Sequence, residues 1–96
     1  MADNPIFDYS FVIPAFNEDK NLAPLIGRVK KVMSQENRTY ELIIVDNGSF
    51  DSTPKVLDQL LQENDMLVVL TMSRNFGYEG AIGAGFEYVR GKKVIV

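Results

Sequence analysis

The chain has 96 residues, a formal net charge of −3, and neither cysteine nor histidine. That length accommodates one small domain, and 46% hydrophobic with 24% charged residues is typical of a folded protein rather than a disordered chain. The acidic balance argues against a nucleic-acid-binding surface. The missing cysteine and histidine exclude disulfides, thiolate or imidazole metal sites and Ser-His catalysis.

The two ends of the chain carry information on the cellular location of the protein and on whether the domain is complete. Residues 1–5 lack the basic and apolar regions of a secretory signal, and no apolar run approaches the ~20 residues of a membrane span, so we expect a cytoplasmic protein. Residues 93–96 form an apolar, strand-like run with no turn or polar tail after it. This pattern favours a chain truncated within a larger domain over a natural end.

The first half of the chain predicts a strand, a helix and a second strand. Residues 10–14 are a short apolar run ending in proline, which indicates a buried strand. Apolar residues then recur at helical spacing from Leu22, with Asn21 as N-cap and Pro24 in the first turn. Residues 40–45 contain an unbroken aliphatic core, typical of a strand buried on both faces of a parallel sheet.

The second half continues this alternation. The predicted elements are a helix over residues 54–64, a strand over residues 66–72, a glycine-rich helix over residues 77–89 and a strand over residues 93–96. Asp51 or Ser52 caps the first of these helices, and Gly91 ends the second. The β-α-β-α-β-α-β order predicts an α/β fold with a three-layer, Rossmann-like parallel sheet.

Polar residues follow the first three predicted strands, at the point where each strand ends. In open parallel sheets, ligands bind at the carboxyl ends of the strands, near the point where the strand order reverses. That rule selects three loops, at residues 14–18, 46–49 and 73–77. We therefore expect these loops to converge on one ligand site.

Asp46 is the strongest candidate in these loops, because it follows four consecutive aliphatic residues. Its carboxylate can accept hydrogen bonds from a base or a ribose hydroxyl, or it can form an Asx turn with its own backbone. Phe16 either stacks on a base or fills a gap beneath its loop. The plain alternative for Glu18 is a solvated carboxylate or a partner for Lys20.

The third loop adds a cation and a glycine. Arg74 is the only cation at a strand exit, and its guanidinium suits bidentate phosphate contact, the alternative being a weak surface ion pair. Gly77 can let the backbone approach a ligand, and Pro14 stiffens the exit of the first strand. The glycines of residues 77–85 follow the third strand, not the first, so they are no dinucleotide fingerprint and indicate a small-residue helix face.

Two other protein classes of similar topology lack their required residues here. P-loop enzymes need a GxxxxGK[ST] loop, which this chain does not contain. A phospho-acceptor receiver domain would want an aspartate after the third strand, where this chain has Ser73 and Arg74. Neither class is favoured.

Three stretches resemble the motifs of family 2 glycosyltransferases, in order and at the expected spacing. Residues 11–18 (FVIPAFNE) resemble VxIPxYNE, and residues 40–53 (YELIIVDNGSFDST) resemble EIIVVDDGSxDxT. Residues 73–77 (SRNFG), with the helix after them, are similar to RNxGxxxAxxxG. The resemblance covers nearly the whole chain and is strongest to the polyprenyl-phosphate branch, such as dolichol-phosphate mannose synthases and bactoprenol glucosyltransferases.

The resemblance implies that residues 1–96 are the nucleotide-sugar-binding part of a GT-A domain, a Rossmann-like half that precedes an acceptor half. It implies a nucleoside-diphosphate sugar as donor and a lipid phosphate, such as a polyprenyl phosphate, as acceptor. Carried over by position, the nucleotide-sugar-binding residues are Pro14, Phe16, Glu18, Ile44, Asp46, Asn47, Arg74 and Gly77. Phe16 stands where the family more often has tyrosine, and Asn47 where it often has a second aspartate.

The family's metal motif bears on whether these residues can act alone. An Asp-x-Asp motif that binds Mg²⁺ or Mn²⁺ and the diphosphate is expected after Val96, as are the general base and the acceptor site. We therefore expect that residues 1–96 bind no metal and transfer no sugar, because the metal is the Lewis acid for diphosphate departure. The full-length enzyme would need the metal and would act at the cytoplasmic face of a membrane.

A different class of function is a self-contained, non-catalytic α/β module that binds a nucleotide or a protein. The coding sequence after Val96 discriminates the two, because only the enzyme requires an Asp-x-Asp segment and a further domain. The terminal strand would also leave a sheet edge unpaired, so we expect homodimers or strand exchange through it.

Overall fold

The structure, a computed structural model, describes residues 6–96. Residues 1–5, which the sequence indicates carry no signal, lie outside the described residues. The elements are β1 (Phe7–Ala15), α1 (Leu22–Glu36), β2 (Tyr40–Asp46), α2 (Thr53–Glu63), β3 (Leu67–Thr71), α3 (Gly77–Phe86) and β4 (Gly91–Ile95). None of the described helices has the length and apolar character needed to cross a membrane.

The strands form one parallel sheet of four in the order β3-β2-β1-β4. The chain moves outward from β1 through β2 to β3, and then crosses back to place β4 on the other side of β1. The strand order therefore reverses beside β1. The carboxyl end of β1 is the switch point at which α/β sheets bind ligands.

β2 is buried on both faces, and its alternating side chains build two separate cores. Leu42 and Ile44 pack beneath α1 and α2. Ile43 and Val45 face the other way and pack with Ala81 of α3. The prediction that this aliphatic run is a strand buried on both faces is confirmed, since a central parallel strand has no solvent-facing side. Helices on both faces confirm the three-layer α/β fold.

α3 lies close to the sheet because its contact face carries small residues. Gly85 faces β1, and a Cβ placed there would overlap a methyl group of Val12. Ala81 is fully buried one turn earlier. Gly83 is exposed, and a Cβ there would meet nothing within 4 Å. The small-residue face therefore includes Gly85 and Ala81 but not every glycine of the helix.

Some predicted boundaries are wrong. β1 begins at Phe7 rather than residue 10, because Phe7 pairs with Gly91 of β4. α3 ends at Phe86 rather than Val89, whose side chain is buried in the core. Gly91 does not end the helix; it opens β4, where a Cβ would collide with Ser10.

The starts of α1 and α2 show how the amino-terminal ends of these helices are capped. Asn21 and Ser52 occupy the N-cap positions, but neither side chain makes a capping hydrogen bond. The backbone N–H of Thr53 instead donates to Asp51 Oδ1 at 2.8 Å. Desolvation acts to raise the pKa of Asp51, but hydrogen bonds from Thr53 and other backbone groups outweigh it, so the pKa is lowered.

A buried polar network lies at the amino-terminal end of the sheet, and the sequence does not predict it. Glu41 of β2 is 0% exposed. Its Oε2 accepts hydrogen bonds from Ser10 Oγ and from the backbone N–H of Arg90, both at 2.6 Å. Its Oε1 pairs with Nε and Nη2 of Arg90, both at 3.0 Å. Ser10 Oγ also accepts from the N–H of Gly91 at 2.7 Å, so the network joins β1, β2 and β4.

Candidate functional site

The loops after β1, β2 and β3 lie side by side at the carboxyl edge of the sheet. The strand register pairs Ala15 with Asp46 and Asp46 with Thr71, so the three strands end level. Backbone hydrogen bonds continue past the strands, from Asn47 N to Ala15 O and from Met72 N to Asp46 O, both at 2.8 Å. The polar loops therefore meet, as their positions after the strands predict.

A cavity of about 340 Å³ opens at this edge and is called here the edge cavity. Its lining residues are Pro14, Ala15, Phe16, Glu18, Asn47, Asn75, Gly77 and Tyr78. The edge cavity brings together five residues predicted from the sequence: Pro14, Phe16, Glu18, Asn47 and Gly77. The predicted residues Ile44, Asp46 and Arg74 do not line it. The loop positions alone could have identified Ala15 and Asn75, whereas Tyr78 belongs to α3.

A larger cavity of about 410 Å³ lies at the other end of the fold, between the end of α1 and the start of β2. Its lining includes Lys30, Met33 and Arg38, and none of the predicted site residues. Size alone does not identify a site. The edge cavity is favoured because it lies at the topological switch point and gathers polar residues from three loops.

The second loop and the start of α2 hold the backbone of the first loop. Asn17 has a φ of 53°, in the left-handed region that asparagine tolerates better than most residues. Its Oδ1 accepts hydrogen bonds from the backbone N–H groups of Phe50 and Asp51 at 3.0 and 3.3 Å. The N–H of Glu18 donates to Thr53 Oγ1 at 2.9 Å. The side chains of this loop therefore project from a fixed backbone.

Phe16 and Glu18 are the first-loop side chains that line the edge cavity. Phe16 is 38% exposed and packs edge-to-face against Phe50, with ring centroids 5.6 Å apart. The ring is thus supported by Phe50 on one side and partly exposed on the other, and its stacking on a base stays a prediction. Glu18 Oε2 accepts a hydrogen bond from Asn21 Nδ2 at 2.6 Å, so its partner is Asn21 and not Lys20.

Asp46 ends β2 and turns towards α2. It is 1% exposed, and its Oδ1 accepts a hydrogen bond from the N–H of Ser49 at 3.1 Å. This is the Asx-type turn that was the alternative to ligand contact. Asp46 Oδ2 accepts no hydrogen bond from the described residues.

Ile44 lies within β2, two residues before the edge of the sheet. Its side chain packs in the core beneath α1 and α2 and is 0% exposed. It points to the same side of the strand as Leu42 and Asp46, because side chains two residues apart share a face. The contact between Ile44 and a base that the resemblance implies stays a prediction.

Arg74 lies outside the edge cavity. Its guanidinium carbon is 4.0 Å from the centroid of the Phe76 ring, a cation–π contact. Its Nη1 also donates to the backbone oxygen of Asn75 at 3.4 Å. The described residues contain no ion pair to Arg74, so the alternative of a surface salt bridge is not what the structure shows.

The second and third loops are joined by short-range contacts. The side chain of Asn47 is 4% exposed and bonds to Asn75, Phe76 and Gly77 of the third loop. Gly48 has a φ of 79°, and a Cβ there would lie 2.5 Å from the carbonyl carbon of Arg74. Only glycine fits this approach. The third loop is therefore positioned by the second.

The described residues do not fit a divalent metal site. Residues 6–96 contain no group of three or more carboxylate, histidine or cysteine side chains that could hold a metal ion. One oxygen of each carboxylate at the edge already accepts a hydrogen bond, Glu18 Oε2 from Asn21 and Asp46 Oδ1 from Ser49. The arrangement can bind and orient an organic ligand with hydroxyl and N–H groups, and it offers aromatic surface for stacking.

Comparisons with known proteins place these features in a family. Residues 10–96 match the family model for glycosyl transferase family 2. An uncharacterized glycosyltransferase, sll0501, from Synechocystis sp. is 42% identical over 88 residues, which are 92% of this chain and 28% of the relative. The undecaprenyl-phosphate 4-deoxy-4-formamido-L-arabinose transferase of Aeromonas hydrophila is 41% identical over 96 residues, covering 99% of this chain and 29% of that relative.

A solved structure has the same fold. The mannosyltransferase PcManGT from Pyrobaculum calidifontis, in complex with GDP-Man and Mn²⁺, superposes with a TM-score of 0.71 at 22% identity. The match covers 98% of this chain and 28% of that one. The sheet described above is thus the Rossmann-like N-terminal half of a GT-A fold. The chain spans less than a third of the length of these relatives. With a family model matched over nearly all of its residues, the chain belongs to glycosyl transferase family 2.

Proposed function

We propose that the chain is the nucleotide-sugar-binding part of a glycosyltransferase. The whole protein would transfer a sugar from a nucleoside-diphosphate sugar to a lipid phosphate such as a polyprenyl phosphate. The observation that carries the proposal is the edge cavity at the switch point, lined by five residues selected from the sequence. The GDP-Man of the structural neighbour supports the donor class, and the undecaprenyl phosphate in the relatives' names supports the acceptor class.

In this proposal the first loop receives the base and the ribose. The ring of Phe16 offers a stacking surface, and Pro14 forms the wall beside it. Glu18 Oε1 and Asp46 Oδ2 accept no hydrogen bond from the described residues. Glu18 lines the edge cavity and can accept from a hydroxyl or a base N–H, whereas Asp46, at 1% exposed, would meet a ligand only if its loop moved. Ile44 contributes from the same strand as Asp46, because its packing beneath α1 and α2 fixes the end of β2.

The third loop receives the diphosphate in this proposal. Gly77 has a φ of 80° and open space where a Cβ would be, so its backbone can approach a ligand closely. Arg74 is the nearby cation and would reach a phosphate by leaving the ring of Phe76. This exchange of a cation–π contact for a phosphate is favourable, because a guanidinium binds a phosphate with two charge-assisted hydrogen bonds.

We propose that residues 1–96 bind the donor but transfer no sugar. The described residues provide no group of metal ligands, and the family's Asp-x-Asp motif is expected after Val96. The Mn²⁺ of the structural neighbour supports a divalent metal for the whole protein. The undecaprenyl phosphate of the relatives supports a place at the cytoplasmic face of a membrane. Metal-dependent sugar transfer by residues 1–96 would contradict this proposal.

Calorimetry with uridine and guanosine diphosphates and their sugars tests donor binding. We expect the wild-type chain to bind at least one of them and Phe16→Ala to weaken that binding roughly tenfold, since stacking a base on an aromatic ring contributes about 1–3 kcal/mol. Phe86→Ala is the matched control, because Phe86 is 47% exposed but does not line the edge cavity. No binding to any of these ligands, or equal losses in both variants, would contradict the proposal.

We also propose that two copies pair through β4. Within the described sheet, β4 has a neighbouring strand on one side only. Ile95 and Val96 are 40% and 60% exposed there, whereas the exposed Lys92 and Lys93 oppose pairing by charge repulsion. Light scattering should therefore show dimers that increase with protein and salt concentration. A monomer under all these conditions would rule the pairing out.

A further inference from the structure

Asn47 uses its whole side chain to hold the third loop. Its Nδ2 donates to Asn75 Oδ1 and to the backbone oxygen of Gly77, both at 3.1 Å. Its Oδ1 accepts a hydrogen bond from the N–H of Phe76 at 3.0 Å. Both hydrogens of the amide are thus committed, and the residue is 4% exposed. Little of this side chain is left to meet a ligand.

Asn47 and Asn75 together fix both polar groups of Gly77. Asn75 Oδ1 accepts a hydrogen bond from the Gly77 N–H at 2.7 Å, while Asn47 Nδ2 donates to the Gly77 oxygen. Gly77 opens α3 in a left-handed conformation, and both Gly77 and Tyr78 line the edge cavity. The position of this wall therefore depends on the two amides.

We propose that Asn47 is a positioning residue, which shapes the edge cavity by holding the third loop and does not bind the nucleotide with its own side chain. The proposal rests on the proposed function, because it concerns how the donor site is formed. With Asn75 Oδ1 and the Gly77 oxygen placed as they are in this chain, the role also requires an amide, although the family often has an aspartate at this position. A carboxylate could accept from Phe76 but would face two acceptors, Asn75 Oδ1 and the Gly77 oxygen, with no hydrogen to donate.

The same substitution, asparagine to aspartate, should disrupt the third loop at position 47 but not at position 75. Asn47→Asp removes both donated hydrogen bonds. Asn75→Asp keeps both accepted ones, because the bonds of Asn75 to Asn47 and Gly77 are made through Oδ1. Both variants add one negative charge to the same cavity, so a difference between them cannot come from charge alone.

Amide hydrogen exchange without ligand gives the first readout. Exchange at the Gly77 N–H should speed up about tenfold in Asn47→Asp, because its acceptor Asn75 and its own carbonyl group both lose the hydrogen bonds that Asn47 donates, and it should stay near wild type in Asn75→Asp. Equal exchange in the two variants would overturn the proposal. Asn47→Ala, which adds no charge, serves if Asn47→Asp does not fold.

Nucleotide binding gives the second readout, with both an uncharged nucleoside and its diphosphate as probes. Asn47→Asp should weaken both about tenfold at neutral pH. This loss should shrink towards pH about 4, where the new carboxyl is protonated and can again donate one hydrogen bond. Asn64→Asp is the control at the far end of α2, where another buried amide donates to the Leu60 oxygen at 2.9 Å. It should leave both affinities within about twofold.

The outcomes separate this inference from the proposed function. A loss seen only with the diphosphate would indicate charge repulsion and would overturn the positioning role. Wild-type affinity in Asn47→Asp would do the same while leaving the proposed function intact. A wild-type chain that binds neither probe would overturn the proposed function, and the inference with it.

Discussion

The two ends of the sheet both contain buried polar side chains, yet they use them differently. At the amino-terminal end, Glu41 is fully buried, and its side-chain hydrogen bonds go to Ser10 of β1 and to Arg90, the residue before β4. At the carboxyl end, Asp46 and Asn47 bond to loops, and a cavity remains beside them. Burial of polar groups therefore does not by itself identify a ligand site.

The two ends differ in which polar and aromatic groups remain available to a ligand. In the amino-terminal network, both side-chain oxygens of Glu41 accept hydrogen bonds, and the network joins β1, β2 and the start of β4. The carboxyl end leaves one oxygen of Asp46 without a hydrogen bond from the described residues and exposes Phe16 and Tyr78 at 38% and 63%. One end stabilises the fold, and the other is held rigid while still offering polar and aromatic groups to a ligand.

The largest expected effect on stability comes from removing the buried carboxylate at the amino-terminal end of the sheet. Glu41→Ala should lower the free energy of unfolding by about 3 kcal/mol, because Ser10 and Arg90 lose their buried acceptor. Urea denaturation measures this loss. Glu36→Ala, at the exposed end of α1, is the control and should change stability little. Similar stability in the two variants would show that the network does not hold the strands together.

Gly48→Ala should affect both stability and binding, in contrast to Glu41→Ala. The added methyl group would meet the backbone of Arg74 in a left-handed conformation, which should cost about 2 kcal/mol and displace the third loop. Nucleotide affinity of the folded variant, measured by calorimetry, should fall as well. Unchanged affinity despite lost stability would mean that the third loop does not form the site.

Two glycines in the second half of α3 allow a comparison that involves neither end of the sheet. Gly85→Ala should destabilise the protein by about 1–2 kcal/mol, because its methyl group overlaps Val12. Gly83→Ala should stabilise it by up to about 1 kcal/mol, because the site is open and alanine favours a helix. Thermal unfolding should move the two midpoints in opposite directions. A shift of both in the same direction would contradict the close packing of α3 on the sheet.

The smallest expected effect is a pH dependence at Asp8, near the amino-terminal end. A hydrogen bond from the backbone N–H of Thr39, at 2.9 Å, is the main cause that holds the pKa of Asp8 below its usual value. The ionised group therefore contributes stability above its unfolded pKa of about 3.9, and this contribution is lost as the pH falls through the lower folded value. Asp8→Asn should be less stable than wild type at neutral pH, with the gap closing in acid. A gap independent of pH would contradict this assignment.

The fold was predictable because its signals are local. The aliphatic run before Asp46 predicts a central parallel strand, and the polar residues after each strand predict the edge at which the loops meet. Glu41 was not predictable as a buried network residue, since its partner Arg90 is 49 residues away in the sequence and meets it only when β4 joins the sheet.

The candidate site was predictable in position but not in every role. Phe16 and Glu18 follow a strand end and do line the edge cavity, whereas Ile44 lies two residues before the end of β2 and is buried. The part played by Asn47 depends on the orientation of its amide towards Gly77, which no local pattern encodes. Tyr78 has an exposed position that follows from where α3 begins.

A nuclear magnetic resonance titration with a nucleoside diphosphate tests the central claim most directly. The account predicts that backbone shifts concentrate at the edge cavity, on residues such as Phe16, Gly77 and Tyr78, with little change around Glu41 and Arg90. Shifts centred on the amino-terminal end, or no specific shifts at all, would contradict it.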